Sequence, residues 1–271
     1  EPNGANIDDE IDLKTGINII SLHGKNRSYG EIDDKDVQDI DVLIFDIQDV
    51  GVRFYTHISV LHYVMEASAR NKIPLIILDR PNPNAHYVDG PVLNLKNKSF
   101  VGMHEVPIVY GLTIGEYSKM INQEGWLKNK MKSEIHLVKL KNYNRNIIYE
   151  LPINPSPNLP NKSSINLYPS LCLFEGTNIS AGRGTDMQFQ IYGSPFLNKD
   201  LNQFEFTPKK NIGSKFPKYE NILCFGKNLS KTKKLSKLNL KYILDAYEQS
   251  NNKDEFFNNY FTKLAGISEL Q

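Results

Sequence analysis

The first third of the chain alternates two nearly continuous apolar runs with one segment of helical periodicity. The runs are "DVLIFDI" at 41–47 and "IPLIILD" at 73–79. Such runs are typical of strands that are covered on both faces, as in parallel sheets. Between them, the apolar positions that follow Thr56 fall on one side of a helix. The pattern therefore predicts a strand–helix–strand unit with the right-handed crossover that nearly all such units adopt.

Weaker signals predict further elements. "INIISL" at 17–22 and "EIHLVKL" at 134–140 have the pattern of short strands, and residues 238–250 have a helical pattern. Thr113 is followed three residues later by Glu116, which is the spacing of a capping box that opens a helix. Helices and strands thus continue beyond the first unit.

A proline-rich segment divides the chain. "LPINPSPNLPN" at 151–161 has four prolines in eleven residues and cannot be regular. It is typical of a hinge between two domains, or of a rigid wall of a cleft. We predict one domain at 1–150, built on a mostly parallel sheet, and a smaller α+β domain at 151–271 that closes the cleft.

Polar residues follow both apolar runs. Asp46 and Asp79 stand at the ends of the two predicted strands, and both continue into polar loops, "QDVGVRFYT" and "RPNPNAHYVDGP". In open parallel sheets, ligands bind beyond the carboxyl ends of the strands. Together the two loops favour a ligand site, although either Asp alone is also explained as a cap of a loop or of the next helix.

The remaining carboxylates lie in similar loops. These loops are rich in Asn, Arg, Tyr and Gly, and the acids are Asp46, Asp49, Asp79, Asp89, Glu175 and Asp186. Planar amides and carboxylates bind sugar hydroxyls in pairs, and aromatic rings cover the apolar faces of sugars. Paired carboxyl groups also catalyse glycoside hydrolysis. By themselves the loops indicate only a small polar ligand.

The overall charge provides no reason to expect binding to nucleic acid or lipid. The 271 residues include 32 Lys and Arg against 31 Asp and Glu, for a net charge of +1. A balanced chain has no global attraction to polyanions. No apolar run approaches the roughly 18–20 residues of a membrane span. We therefore predict no nucleic-acid partner and no membrane span.

The common cofactor and metal motifs are missing from the sequence. No Walker loop occurs, and no GxGxxG follows a strand; the nearest Gly-rich element is "SAGRGTD" at 180–186. A polar loop that carries Arg183 and Asp186 toward a ligand is favoured over a phosphate cradle. Cys172 and Cys224 have no zinc spacing and are interpreted as two buried thiols, with a disulfide as the alternative.

Two histidines lie near the predicted site. His104, in "VGMHEVP", follows the second strand in a loop and is a site candidate. His62 is interpreted as a packed or half-exposed residue of the first helix. His57 is five positions from His62, so the two do not share a face of that helix.

Five long strings are far more specific than these local patterns. They are "FDIQDVGVRFYTHIS", "LDRPNPNAHYVDGPVL", "SFVGMHEVPIVYGLTIGEYSKMIN", "LPINPSPNLPN" and "YPSLCLFEGTNISAGRGTDMQFQIYG". In this order they closely resemble the bacterial DUF1343 family. Members of that family include exo-β-N-acetylmuramidases of the NamZ type, glycoside hydrolase family 171.

The resemblance implies a fold and an activity. The implied fold is a Rossmann-like, mostly parallel sheet domain with a smaller α+β C-terminal domain and a cleft between them. The implied activity is release of terminal β-1,4-linked N-acetylmuramic acid from the non-reducing ends of peptidoglycan fragments, as in cell wall turnover. It also implies a secreted protein, exported to the periplasm or the extracellular space, that uses no cofactor and no metal.

Taken together, loops and resemblance predict a site with two walls, because a sugar ring needs polar partners along its edge. The predicted catalytic residues are Asp46, Asp49 and Glu175. The predicted substrate-binding residues are Gln48, Arg53, Tyr55, Asp79, Arg80, Asn82, His104, Asn158, Arg183 and Asp186.

One arginine is expected to recognise the lactyl carboxylate that distinguishes N-acetylmuramic acid from N-acetylglucosamine. The planar guanidinium binds a carboxylate through two parallel hydrogen bonds. Arg53, Arg80 and Arg183 are the candidates, and Arg183 is favoured because its Gly-flanked loop can approach a ligand closely. The alternative is a brace between Arg183 and Asp186 that only holds the loop.

The resemblance also creates an expectation about the chain ends. The family begins with another strand–helix–strand segment that ends in a Gly-Pro-Glu-His-Gly loop, and its Glu is a leading catalytic candidate. We expect this chain to be trimmed at both ends, with that Glu before residue 1 and one sheet edge unpaired. The alternative function is a non-catalytic muropeptide- or sugar-binding protein that uses the same cleft.

Overall fold

The computed structural model describes residues 8–22 and 31–270. The first elements are two short antiparallel strands, β1 (Glu10–Ile11) and β2 (Asn18–Ile19). The strand predicted at 17–22 is thus reduced to two residues. Both strands are exposed and contribute nothing to the main core.

A three-stranded parallel sheet follows the predicted strand–helix–strand order. Its elements are β3 (Leu43–Phe45), α1 (His57–Asn71), β4 (Leu75–Leu78), α2 (Ile114–Gln123) and β5 (Ile135–Val138). The strand order is β3-β4-β5, and both pairings are parallel. Adjacent parallel strands therefore precede Asp46 and Asp79, as predicted.

Both helices pack on one face of this sheet. Phe45, Leu75 and Ile77 point into a core shared with α1 and α2. On the opposite face, Ile44 is 64% exposed and Val138 is 54% exposed. The described part of the chain therefore has two layers here, and the expectation of strands covered on both faces is wrong for it.

The capping box predicted at the start of α2 is present. Thr113 Oγ1 accepts a hydrogen bond from the Glu116 N–H at 3.2 Å, and Glu116 Oε2 accepts one from the Thr113 N–H at 3.0 Å. The two bonds satisfy backbone donors that a helix start leaves unpaired. Glu116 is thereby confirmed as a structural residue.

The second half of the chain combines helices with an antiparallel sheet. Its elements are α3 (Lys162–Leu171), β6 (Ile191–Ser194), β7 (Phe204–Phe206), β8 (Cys224–Asn228), α4 (Lys241–Gln249) and α5 (Phe261–Ala265). The sheet order is β6-β8-β7. A parallel α/β half followed by an α+β half confirms the predicted fold class, and α4 falls within the predicted helix at 238–250.

One apolar core crosses the proline-rich segment. Val50, Val52 and Phe54, from the loop after β3, belong to the same buried cluster as Leu171 and Phe189 of the second half. The loop that carries the predicted site is therefore supported by residues far along the chain. The division into domains at residue 150 stays a prediction.

Two further expectations concern the thiols and the membrane. Cys172 and Cys224 are buried and free, which confirms their interpretation as core thiols. Within residues 8–22 and 31–270, no helix is long and apolar enough to cross a membrane.

Candidate functional site

The loop after β3 places a carboxyl group in the protein interior. Asp49 is buried, and its Oδ2 accepts hydrogen bonds from the Gly51 N–H at 2.6 Å and from the Tyr110 hydroxyl. The other oxygen, Oδ1, is enclosed without a hydrogen-bond partner among the described residues. Gln48 braces the loop, since its side-chain amide donates to the carbonyls of Asp49 and Pro81.

The surroundings of Asp49 favour its protonated form. Burial raises the pKa of Asp49, and hydrogen bonds from Tyr110 and Gly51 together with the nearby His57 only partly oppose this. A carboxyl group that keeps its proton to higher pH can act as a general acid. Asp49 has this property through desolvation, which the sequence pattern does not report.

A glycine lets two site loops approach closely. Gly51 has a φ of +75°, and a Cβ there would lie 2.1 Å from Asn82 Oδ1. The Asn82 amide also binds backbone, since it donates to the Leu112 carbonyl at 2.9 Å and accepts from the Asn84 N–H at 2.8 Å. Asn82, predicted to bind substrate, is buried and acts here as a brace between loops.

Asp46 and Asp79 have different partners although they end adjacent strands. Arg80 Nη2 lies 2.6 Å from Asp46 Oδ1 in a half-exposed ion pair. Asp79 instead accepts hydrogen bonds from Thr113 Oγ1 and from the Gly115 N–H, each at 2.9 Å. Burial raises the pKa of Asp79, and these bonds oppose the shift. Asp79 therefore anchors the start of α2, whereas Asp46 and Arg80 face solvent.

Tyr55 joins the proline-rich segment to the first loop. Its hydroxyl donates to the Pro155 carbonyl at 2.8 Å. Its ring meets His57 edge-on at 4.5 Å and Tyr168 at 5.9 Å between centroids. His57 Nδ1 is hydrogen-bonded to the Gln48 carbonyl at 2.8 Å. This geometry agrees with the interpretation of the segment as a wall beside the site.

The second half contributes a half-buried ion pair. Arg183 Nε donates to Glu175 Oε1 at 2.9 Å, and the guanidinium lies 5.0 Å from the centroid of the Phe189 ring. Burial disfavours the charge of Arg183, but Glu175 and Tyr168 outweigh it and raise its pKa. The proposed brace between Arg183 and Asp186 is wrong, because Glu175 is the partner and Asp186 is exposed.

The ion pair connects to the first loop through aromatic rings. Phe189 packs edge-on against Tyr168 at 4.8 Å, and Tyr168 in turn contacts Tyr55. Arg183 Nη1 is buried without a hydrogen-bond partner in the described parts of the chain. One side of this guanidinium therefore keeps an unused donor.

Lys218 supports the segment that carries Glu175, and sequence reasoning missed it. Its ammonium group donates to the carbonyls of Phe174 at 3.2 Å, Thr177 at 2.5 Å and Ile179 at 3.0 Å. Burial lowers the pKa of Lys218, and Glu175 opposes this effect. Tyr110, the donor to Asp49, was also missed, and neither residue carries a local sequence signal.

Two predicted substrate-binding residues belong to the core. Arg53 has no exposed surface, and its guanidinium donates to the carbonyls of Pro91, Val106, Leu264 and Ala265 at 2.7–3.0 Å. Burial lowers its pKa to about 10. In this structure the Arg53 side chain is held in the core by backbone carbonyls, and its assignment to substrate binding stays a prediction.

His104 is the second of these core residues. It is hydrogen-bonded to His62 at 2.9 Å and to the Tyr117 hydroxyl at 3.0 Å, and its ring stacks on Trp126 at 4.5 Å. Burial lowers the pKa of His104 to about 2, so the ring is neutral. His62 is likewise buried and confirms its interpretation as a packed residue.

Asn158 is buried against a loop of the second half rather than open to solvent. Its amide nitrogen donates to the Gly213 carbonyl at 2.6 Å. Its oxygen has no hydrogen-bond partner within the described ranges.

Across residues 8–22 and 31–270, no group of three His, Cys, Asp or Glu side chains is placed to hold a metal ion.

Comparisons with known proteins cover the whole chain. The family model for the N-terminal part of the exo-beta-N-acetylmuramidase NamZ matches residues 1–163, and the model for its C-terminal part matches residues 166–271. A curated relative is the peptidoglycan beta-N-acetylmuramidase NamZ of Bacillus subtilis (strain 168). The identity is 38% over an alignment of 246 positions, and the alignment covers 83% of this chain and 56% of the relative. The chain thus spans little more than half the length of that relative.

Two solved structures share the fold. Both are crystal structures of DUF1343 family proteins from Bacteroides fragilis NCTC 9343. The first is 44% identical with a TM-score of 0.89, over 96% of this chain and 72% of the other. The second is 28% identical with a TM-score of 0.76, over 96% of this chain and 73% of the other.

Proposed function

This chain belongs to the family of NamZ exo-beta-N-acetylmuramidases, and we propose that it acts as a glycoside hydrolase on peptidoglycan fragments. The substrate proposed is a chain whose non-reducing end is β-1,4-linked N-acetylmuramic acid. The product is the free terminal sugar. Two family models in order, with a relative that carries this activity in its name, support the proposal.

The observation that carries the proposal is the buried acid Asp49. Its pKa is raised by burial, and its Oδ2 is held by Tyr110 and the Gly51 N–H. Glycoside hydrolysis needs a carboxylic acid that is protonated when substrate binds. The proton passes from the carboxyl group to the glycosidic oxygen as the bond from that oxygen to the anomeric carbon breaks. A water molecule then supplies the new hydroxyl group of the sugar.

A second carboxylate is needed to activate that water molecule or to stabilise the positive charge that develops on the sugar. Asp46 and Glu175 are the candidates, and each is paired with an arginine in this structure. A carboxylate in this position acts as a base, a nucleophile or an electrostatic stabiliser. We therefore propose Asp49 as the general acid, with Asp46 or Glu175 as the second carboxyl group.

The test compares turnover with binding. We expect Asp49→Asn to lower kcat on a chromogenic β-linked N-acetylmuramic acid glycoside by about 10²–10⁴-fold, the usual contribution of a general acid. Affinity for the released sugar should change little. The exposed Asp200→Asn is the matched control and should keep normal turnover. Normal turnover in Asp49→Asn would leave Asp49 as a loop brace only.

A non-catalytic sugar-binding function is the second candidate. One observation favours it. Asp46 and Glu175 form ion pairs and Asp79 anchors a helix, and such contacts can serve to stabilise loops without taking part in a reaction. Wild-type protein that binds muramic acid fragments but releases no sugar from any of them would establish this function instead.

We also propose that the protein acts outside the cytoplasmic membrane. Peptidoglycan lies outside the cytoplasmic membrane, so a secreted protein in the periplasm or extracellular space would meet it. A role in cell wall turnover belongs to the same proposal. Fractionation of cells with an antibody against this chain tests it, and a purely cytoplasmic signal would contradict it.

A further inference from the structure

The loop between β7 and β8 is hydrogen-bonded to the Gly-rich loop at 180–186 that carries Arg183. The Lys209 N–H donates to the Gly184 carbonyl at 2.8 Å, and the Asn158 amide donates to the Gly213 carbonyl at 2.6 Å. Gly184 is in close contact with this loop, since a Cβ there would lie 2.6 Å from the Pro217 ring. We call residues 209–217 the fastened loop.

The tip of the fastened loop exposes apolar surface. Phe216 is 83% exposed and Ile212 is 67% exposed. Phe216 lines a shallow surface cavity of about 370 Å³ together with Lys210, Asn211 and Lys215. Exposed apolar surface of this kind can bind a ligand, because covering it removes apolar area from water.

The charge around the ring is positive. Lys210 Nζ lies 5.6 Å from the centroid of the Phe216 ring and 3.6 Å from Glu220 Oε1. Lys215 has no acidic partner among the described residues, which leaves it available to an anion. A carboxylate-bearing sugar offers both complementary features, an apolar C–H face for the ring and a negative group for the ammonium.

We infer that the fastened loop binds the saccharide chain of the substrate beyond its terminal sugar, with Phe216 against a sugar face and Lys215 near a carboxylate. This inference rests on the proposed substrate class. The bonds to Gly184 and the packing of Pro217 place the loop next to Arg183, so one chain of sugars can extend from that segment onto the loop. A membrane surface is the competing occupant, because an exposed Phe among lysines also suits lipid headgroups.

The test separates long from short ligands. Phe216→Ala and Lys215→Ala, made in the Asp49→Asn background so that no ligand is consumed, should each weaken binding of a muramic acid-containing oligosaccharide by about 5–10-fold in calorimetry. Phe216→Trp should restore affinity, since the larger ring still covers a sugar face. In the otherwise wild-type protein, the same substitutions should leave kcat/KM for a single-sugar chromogenic glycoside unchanged.

Controls come from another exposed loop of the same half. Leu201→Ala and Lys199→Ala remove an exposed apolar and an exposed basic side chain outside residues 209–217 and should keep full affinity. Unchanged oligosaccharide affinity in Phe216→Ala, or Phe216-dependent binding to anionic vesicles with none to the oligosaccharide, would overturn the inference. If the protein cleaves nothing yet binds oligosaccharide through Phe216, the proposed hydrolysis fails and the inference stands.

Discussion

Tyr110 donates its hydroxyl hydrogen to the carboxylate of Asp49, and both side chains are buried. The two residues lie 61 positions apart and meet only because the loop after β3 folds beneath the segment before α2. Burial raises the pKa of Tyr110 well above its ordinary value, so the hydroxyl remains a neutral donor. The Tyr110 bond therefore moderates the upward shift that burial gives the pKa of Asp49.

Tyr110→Phe should shift the pH dependence of turnover. The Tyr110 bond lowers the pKa of Asp49 against the larger effect of burial, so its loss should raise that pKa further. If Asp49 is the general acid, the alkaline limb of the kcat profile moves to higher pH. A profile that keeps its alkaline limb in place would mean that another group donates the proton.

Asp49→Asn should change the pH dependence of stability. The pKa of Asp49 in the folded protein is raised above the ordinary value of 3.8. At a pH between these two values the folded protein keeps the proton on Asp49, whereas the unfolded chain has lost it. Stability therefore falls as pH rises through that interval. Urea unfolding of the wild type should show this fall, and Asp49→Asn should lack it. Parallel curves for the two proteins would contradict a raised pKa.

Arg183→Ala should affect muramic acid substrates most. Arg183 Nη1 is the unused donor beside the Glu175 ion pair, and a lactyl carboxylate is a suitable acceptor. We expect turnover of a muramic acid glycoside to fall by about 10-fold or more, since hydrogen bonds to charged groups contribute about 1.5–3 kcal/mol. The ratio of turnover on the muramic acid glycoside to turnover on the N-acetylglucosamine analogue should also fall. Equal losses on both substrates would show that the carboxylate is recognised elsewhere.

His104→Gln should make the protein less sensitive to mild acid. His104 is neutral in the folded state with a pKa of about 2, whereas an unfolded imidazole binds a proton near its ordinary value of 6.5. Stability is therefore lost as pH falls below about 6.5, with a slope of about 1.4 kcal/mol per pH unit from this group. Gln keeps hydrogen-bonding capacity without titrating.

The fluorescence of Trp126 provides the measurement for His104→Gln. It is the single tryptophan of the chain, and it stacks on His104. Urea unfolding followed by this signal between pH 7 and pH 5 should show a smaller loss of stability in the variant. An identical slope in both proteins would mean that His104 does not govern the response.

Arg53→Met should destabilise the protein by several kcal/mol. The substitution leaves four carbonyls without their donor, and three of them are buried, including those of Leu264 and Ala265 at the end of α5. Each buried unpaired group costs about 1–3 kcal/mol. Chemical denaturation measures the loss. The exposed Arg70→Met is the control and should cost about 1 kcal/mol or less. Similar losses for both variants would refute a special role for Arg53.

Local pattern determined the first sheet unit and its polar ends. The apolar runs around β3 and β4 and the helical period of α1 depend on neighbours a few positions apart, and so does the capping box of Thr113 and Glu116. Such features are readable from sequence because each is a short-range repeat or a fixed spacing. The position of Asp46 and Asp79 at adjacent strand ends follows from the same unit.

Only the tertiary structure decided which polar residues are buried among distant segments of the chain. Arg53 and His104 have the polar character of site residues, yet carbonyls up to 212 positions away enclose the first and the His62–Tyr117–Trp126 cluster encloses the second. Tyr110 and Lys218 show the reverse case, since they control Asp49 and the Glu175 segment without any sequence signal. Burial and hydrogen-bond partners arise from contacts between distant segments, and local periodicity does not encode those contacts.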